Sequence, residues 1–432
     1  MLFSHLTSAA LLGASCYFAS ARPGTEGEYF DGLDSALNEA GLSLFWNALT
    51  VANQTDSGRD FIEALYSDDA YTFYPPVNSA WESSGLSNPE ASEDLVSLLS
   101  YHLVEAHLNS STDIAPPRTH TVAFTRLHSS TILLPGEQAQ VIVLETAANR
   151  SVPQPWDNTS VLIRGDTWNA TSQGNQFSYE NLYVQPIDRI LAVPSPLIKT
   201  LNTPNLALAA PDGALEFASL ISSLGWNQTV EECHGCTFFV PVDDAFRSAR
   251  VNSNYSNWSD AEKQAILRNH ILNGTVAYSP LLKSGNVYVT AAGLPLTYLT
   301  AEDDTSFVSV GDYRAQFIRS DMALPNGVMH FINIVMQETN TDQGKADSAV
   351  SSASSSAEHA TSTGAMGISG ATSTSTASST ATSPASTQSG GSDSDSQDSA
   401  AFRSVSLPGN WGGVEGMMKM GVLVAFLGGL WL

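Results

Sequence analysis

One stretch of this chain recurs, diverged, further along. Thr72-Phe-Tyr-Pro-Pro-Val-Asn-Ser-Ala-Trp81 is matched by Thr237-Phe-Phe-Val-Pro-Val-Asp-Asp-Ala-Phe246. Pro76 falls on Pro241, Asn78 on Asp243, Ala80 on Ala245 and Trp81 on Phe246. Each is an apolar, strand-like run that meets a proline and restarts on Asn or Asp, the residue types that cap a helix N-terminus. Asp243 is therefore expected to cap the helix it opens, with Asp244 favoured in the first turn by the helix dipole. A repeat of this kind requires two copies of one domain rather than one large fold.

Further matches keep the same order. Leu33, Ala36, Leu37 and Ala40 precede the first segment, and Phe217, Leu220, Ile221 and Leu224 the second; both sets have helical i, i+3, i+4, i+7 spacing. Tyr101-His102 follows Pro76 much as Asn269-His270 follows Pro241. The halves end on apolar runs, Leu182–Leu191 and Gly327–Met336.

These residues resemble the fasciclin (FAS1) family. Its domains open on a Thr-Val-Phe-Ala-Pro-Thr-Asn-x-Ala-Phe-like segment, carry a central Tyr/Asn-His, and close on a Gly-x-Ile-His-x-Ile-Asp-x-Val-Leu-like strand. Thr237–Phe246, His270 and Gly327–Met336 with His330 carry the pattern in the second copy. The first copy departs from it: Gln185 stands where the closing His belongs, Pro186 interrupts the strand, and Trp81 replaces Phe. The resemblance implies an α+β fold class, with two tandem FAS1-like domains, each a β-wedge with packed helices, at 30–195 and 196–338. It also implies extracellular adhesion or matrix contact without catalysis.

The formal charge of −25 opposes nucleic-acid binding, which needs clustered Lys and Arg. Secretion is expected. Leu6–Phe18 is mostly apolar, and Ala19-Ser-Ala21 offers a cleavage site, making 1–21 a signal peptide. Nine Asn-x-Ser/Thr sequons follow, at Asn53, Asn109, Asn149, Asn158, Asn169, Asn227, Asn254, Asn257 and Asn273. Cys16 leaves with the signal. Cys233 and Cys236 remain, and in an oxidising compartment a local disulfide is expected, with a redox pair as the alternative.

From 339 to 410 Ser, Thr and Ala dominate, too poor in apolar bulk to offset ordering entropy. This reads as a disordered, O-glycosylated stalk. The last apolar run, Gly421–Leu432, is shorter than the roughly 20 residues a membrane helix needs. It suits a removed glycosylphosphatidylinositol (GPI) attachment signal over 411–432, with Asn410 as the attachment site and Ser399 as the runner-up. Together these features suggest a fungal wall or plasma-membrane protein.

No Gly-x-Ser-x-Gly, His-Glu-x-x-His or phosphate-binding glycine loop occurs. The expectation is no catalytic residue, no metal and no cofactor. His270 and His330 read as buried structural residues. The expected partner is an extracellular protein or a wall polysaccharide, with the membrane reached through the lipid anchor. Two alternatives stand: a wall-glycan-binding module using Trp46, Trp156, Trp168, Trp226 or Trp258, and a tethered trafficking factor of the secretory or vacuolar membrane system.

Overall fold

The computed structural model describes residues 25–117, 119–147, 160–207, 210–253, 257–302, 305–358 and 365–366. Contacts divide the chain into Met1–Thr382 and Ser383–Leu432, and every described residue belongs to the first unit.

The first half opens with α1 (Glu26–Glu39), α2 (Ser43–Ala52) and α3 (Asp56–Leu65). Thr25 and Thr55 start α1 and α3 by accepting from the Glu28 and Gly58 amides, which no intrahelical carbonyl can reach. Next come β1 (Tyr71–Phe73), α4 (Asn78–Ser84), α5 (Glu93–Tyr101) and β2 (Leu103–Val104). Short strands follow: β3 (Thr121–Phe124), β4 (Val141–Thr146), β5 (Val161–Arg164), β6 (Asn169–Thr171), β7 (Phe177–Tyr179) and β8 (Leu182–Val184).

The second half begins with α6 (Leu197–Leu201), α7 (Leu215–Ser223) and α8 (Asn227–Glu231). It continues through β9 (Cys236–Pro241), α9 (Asp243–Ser253), α10 (Asp260–Asn269) and β10 (Ile271–Leu272). Ser259 and Glu262 form a reciprocal capping box at the start of α10. The meander β11 (Val287–Val289), β12 (Pro295–Thr300), β13 (Ser306–Val310), β14 (Tyr313–Leu324) and β15 (Gly327–Ile332) completes it.

The central strands pair alike. β1 lies antiparallel to β2 and parallel to β8, and β9 lies antiparallel to β10 and parallel to β15. The sheets differ beyond that point. In the second half one sheet runs β10-β9-β15-β14-β13-β12-β11, whereas the first half splits into β2-β1-β8-β7 and a sheet containing β3-β4-β5-β6. Pro186 accounts for the shorter closing strand: it has no amide to donate, so β8 stops at Val184 and the parallel pairing resumes only as the Pro76–Ile187 bridge. Gly327 allows the closer approach in the second half. A Cβ there would lie 1.8 Å from the Cys236 carbonyl oxygen.

Helices and strands bury a large core cluster in each half. Leu33, Phe45, Phe61, Phe73 and Val184 meet in the first, and Phe217, Ile221, Phe238, Phe246 and Phe331 in the second. Each such side chain contributes about 1.5–3 kcal/mol by leaving water.

The expectation of disorder from 339 is corrected. Residues Gln343–Ala357 form α11 and Ala365–Met366 form β16, which joins the edge of β3. Asp342 caps α11 through the Lys345 amide, and Ala346 and Ala353 are buried on its inner face. Serine hydroxyls on the outer face bond back to carbonyls one turn earlier, as Ser354 does to Val350. Composition alone misses the Asp342 cap and the two buried alanines. The signal peptide, the rest of the stalk, Asn410, Ser399 and the C-terminal run lie outside the described residues.

Candidate functional site

The repeated residues converge on the same hydrogen bonds in both halves. The Thr72 hydroxyl donates to the Ala106 carbonyl and accepts from the Leu108 amide, at 2.6 and 2.8 Å. Thr237 does the same with Thr275 and Ala277, at 2.7 and 2.8 Å. His102 donates from Nδ1 to the Leu98 carbonyl at 2.8 Å and accepts at Nε2 from the Leu191 amide at 2.9 Å. His270 donates to Ile266 at 2.8 Å and accepts from Met336 at 3.1 Å. Each imidazole thereby ties the end of a helix to the chain beyond the closing strand. A backbone N–H pointing at Nε2 requires the neutral ring, and burial holds both histidines at about 4.

Asn78 and Asp243 are corrected. Asn78 is the first residue of α4, but its Oδ1 accepts from the Leu44 amide at 3.0 Å and its Nδ2 donates to Ser43. It caps α2, not its own helix. Asp243 likewise caps α7, accepting from Glu216 at 3.0 Å. The reason lies in the backbone pairing. After Pro76 and Pro241 the Val77 and Val242 amides are bound to the Ile187 and Ile332 carbonyls. The next side chain is thereby turned toward the neighbouring helix.

His330 lies within β15 and is fully buried. Its Nε2 donates to the Ala277 carbonyl at 3.0 Å, and its Nδ1 accepts from the Asp321 amide at 3.2 Å. Phe239 stacks on the ring, and burial depresses its pKa against the pull of Asp321. Gln185, its counterpart, is also buried and accepts from Ser110 at 3.0 Å.

Asp321 leads to a junction between the halves. A register shift in β14 gives it a φ of 58°, and its carboxylate is fully buried. It accepts from His120 Nδ1 of the first half at 2.6 Å, from the Ser279 amide at 2.6 Å and from the Ser279 hydroxyl. Burial raises the Asp321 pKa, but the His120 hydrogen bond and charge, His330 and Ser279 outweigh it and leave the carboxyl below its ordinary value. Around this group Val122, Phe124, Val141 and Val143 pack on Tyr278 and Val328. Gln140 donates to the Leu324 carbonyl at 3.0 Å, and the Leu133 amide to Pro325 at 2.8 Å. Arg319 donates to the carbonyls of Asp166, Gly165 and Leu206. The two halves are thus joined by buried polar bonds inside an apolar seam, which fixes their relative placement.

No local pattern marks His120 or Asp321, which lie far apart in the chain and pair only through the fold. The matched threonines, by contrast, open both repeats and were open to discovery. Cys233 and Cys236 have Cα atoms 6.0 Å apart, within bridging reach. Asn53, Asn169, Asn227, Asn257 and Asn273 are exposed and Asn109 is half-buried. Asn149, Asn158, Asn254 and Trp156 lie outside the described residues. Trp46, Trp168, Trp226 and Trp258 pack against core clusters rather than forming a shared platform. A cavity of about 830 Å³ opens between the 128–138 loop, His234, Gly274 and α11. Among the described residues no group of three His, Cys, Asp or Glu side chains is placed to hold a metal. No described helix is long and apolar enough to cross a membrane.

A mixed α/β body built on a strand held between an antiparallel and a parallel neighbour defines the class. Residues 212–338 match the fasciclin domain family model, so the second half carries a fasciclin domain. No curated protein matches the chain. Among solved structures, a FAS1 domain pair from the insect cell adhesion molecule Fasciclin I is similar. It is 17% identical, with 70% of this chain and 98% of that one covered at a TM-score of 0.33.

Proposed function

We propose that this chain is a non-enzymatic cell-surface protein whose two tandem fasciclin-type domains mediate adhesion or organise the surrounding wall. The observation that carries the reading is the fasciclin-domain match over 212–338, a domain type of adhesion and matrix-associated proteins. The shared threonine, histidine and Asn/Asp hydrogen bonds support extending that assignment to the first half. The polar residues that the sequence singled out are engaged in holding backbone together, which leaves recognition to the outer surface. Exposed sequons fit passage through the secretory pathway, and the C-terminal sequence fits a lipid anchor on a fungal plasma membrane or wall.

Cells displaying the chain should aggregate, or adhere to wall material, more than cells lacking it. Phosphatidylinositol-specific phospholipase C should release the protein and abolish the effect. Normal aggregation by cells lacking the protein, or release without any loss of adhesion, would overturn the reading. Binding confined to wall glycans on an array would favour the carbohydrate-binding alternative.

A further inference from the structure

The Cys233-His234-Gly235-Cys236 loop leads into β9 and meets the first half directly. The Gly235 amide donates to the Leu133 carbonyl at 2.7 Å, and the Leu133 amide donates in turn to the Pro325 carbonyl at 2.8 Å. Both backbone groups of Leu133 are thus held by the second half, one by this loop and one by the turn between β14 and β15. Gly235 has a φ of 68°, and a Cβ on it would lie 2.3 Å from the Pro135 ring, so the contact needs glycine. Glycine also has the most backbone freedom to lose, so the loop needs a constraint that aims this amide. A bond between Cys233 and Cys236 supplies one by closing the chain around Gly235. The site is furnished for the open form as well. Asn273 Oδ1 lies 3.4 Å from the Cys233 sulfur and 3.6 Å from the Cys236 sulfur. A disulfide has no hydrogen to give that oxygen, whereas two thiols do.

We propose that Cys233 and Cys236 form a redox latch on the seam. Bonded, they clamp the 133–135 loop of the first half; reduced, they let that loop go while the second half stays folded. The chemistry is exchange with an external dithiol. Its thiolate attacks the sulfur of Cys233, which is half-buried, because Cys236 is fully enclosed. The S–S bond breaks, Cys236 leaves as a thiolate and takes up a proton, and the second sulfur of the reagent then displaces Cys233, which is protonated in turn. The reagent ends as a disulfide and the protein as two thiols, two electrons and two protons having passed between them. Both thiols find an acceptor in Asn273 Oδ1. The bonds from Gln140 to Leu324 and from His120 to Asp321 do not pass through the loop. Reduction therefore frees one end of the seam and does not part the halves. The latch holds whether or not the chain mediates adhesion.

Amide hydrogen exchange on the full chain reads both ends of the latch, with alkylation and mass spectrometry reporting the state of the sulfurs. On reduction with dithiothreitol under native conditions, the Gly235 and Leu133 amides should exchange several-fold faster. The Phe239 amide of β9, bonded to the His270 carbonyl, should not change. Cys233→Ser/Cys236→Ser should reproduce the reduced pattern and no longer respond to dithiothreitol. Gly235→Ala, with its disulfide intact, should also speed exchange at Leu133, which separates the clamp from the sulfur chemistry. Unchanged exchange at Leu133 when both thiols have been alkylated would overturn the latch. Loss of protection at Phe239 together with Leu133 would make the bridge a staple of the whole domain and overturn it too. Two alkylated thiols in the secreted protein before any reduction would remove its bonded state.

Discussion

Acid should loosen this protein well above the pH at which carboxylates protonate. His102 and His270 are buried as neutral rings, each held at about 4 against an ordinary value of 6.5. In the unfolded chain each would bind a proton near its ordinary pKa. The stability that each contributes is therefore complete above about pH 6.5 and is lost as the pH falls toward about 4. At about pH 5 the loss is roughly 2 kcal/mol per histidine, or about 4 kcal/mol for the pair. Against a typical total of about 5–15 kcal/mol this is large, and it lowers the melting temperature by on the order of 10 °C. His330, also depressed by burial, acts in the same direction. Asp321, held below its ordinary value, loses its contribution only at lower pH and lies outside this window. The assay is thermal melting of the purified protein between about pH 7 and pH 5. His102→Gln/His270→Gln should melt lower at neutral pH but show a flatter pH dependence. Parallel pH curves for the wild type and the double variant would refute the assignment of the acid sensitivity to these rings.

Asn78→Ala and Asp243→Ala should each cost about 1 kcal/mol in denaturant titrations, and hydrogen exchange should speed up at the start of α2 and α7 rather than α4 and α9. Asp321→Ala removes the acceptor of His120 and Ser279 and should cost about 3–5 kcal/mol, with limited proteolysis then cutting between the halves. Gly327→Ala drives a methyl into the Cys236 carbonyl and should cost about 1–3 kcal/mol or more, read as a lower melting temperature. Unreduced peptide mapping of secreted protein should recover Cys233 joined to Cys236; two alkylated thiols would reject the disulfide.

What the sequence disclosed and what it withheld separate along a physical line. Local patterns were readable: the helical spacing of Leu33 and Leu37 does mark a buried face, and Phe217, Leu220 and Ile221 mark another. Asn78 and Asp243 are cap formers, as their residue types imply, but they cap α2 and α7 rather than the helices they open, because their acceptor geometry depends on parallel strand pairing formed much later in the chain. The His120–Asp321 pair had no local signature at all. Its bulged, left-handed aspartate arises from register in β14, which no residue spacing reveals. Composition misleads once, at α11, where the Asp342 cap and the buried Ala346 and Ala353 seat a serine-rich helix.

The parallel pairing of β1 with β8, and of β9 with β15, has a consequence for synthesis. Tyr71 meets Leu182, and Cys236 meets Gly327, so each central strand waits for a partner made much later. Loop-closure entropy must be overcome before those contacts form. During synthesis, the central sheet of the first half therefore cannot close until about Val184 has appeared. The seam then needs β14 and β15 before Asp321 can meet His120. Completion of the body is thus a late event in translation, and exposed apolar surface persists throughout that interval, when chaperone engagement would have most to hold.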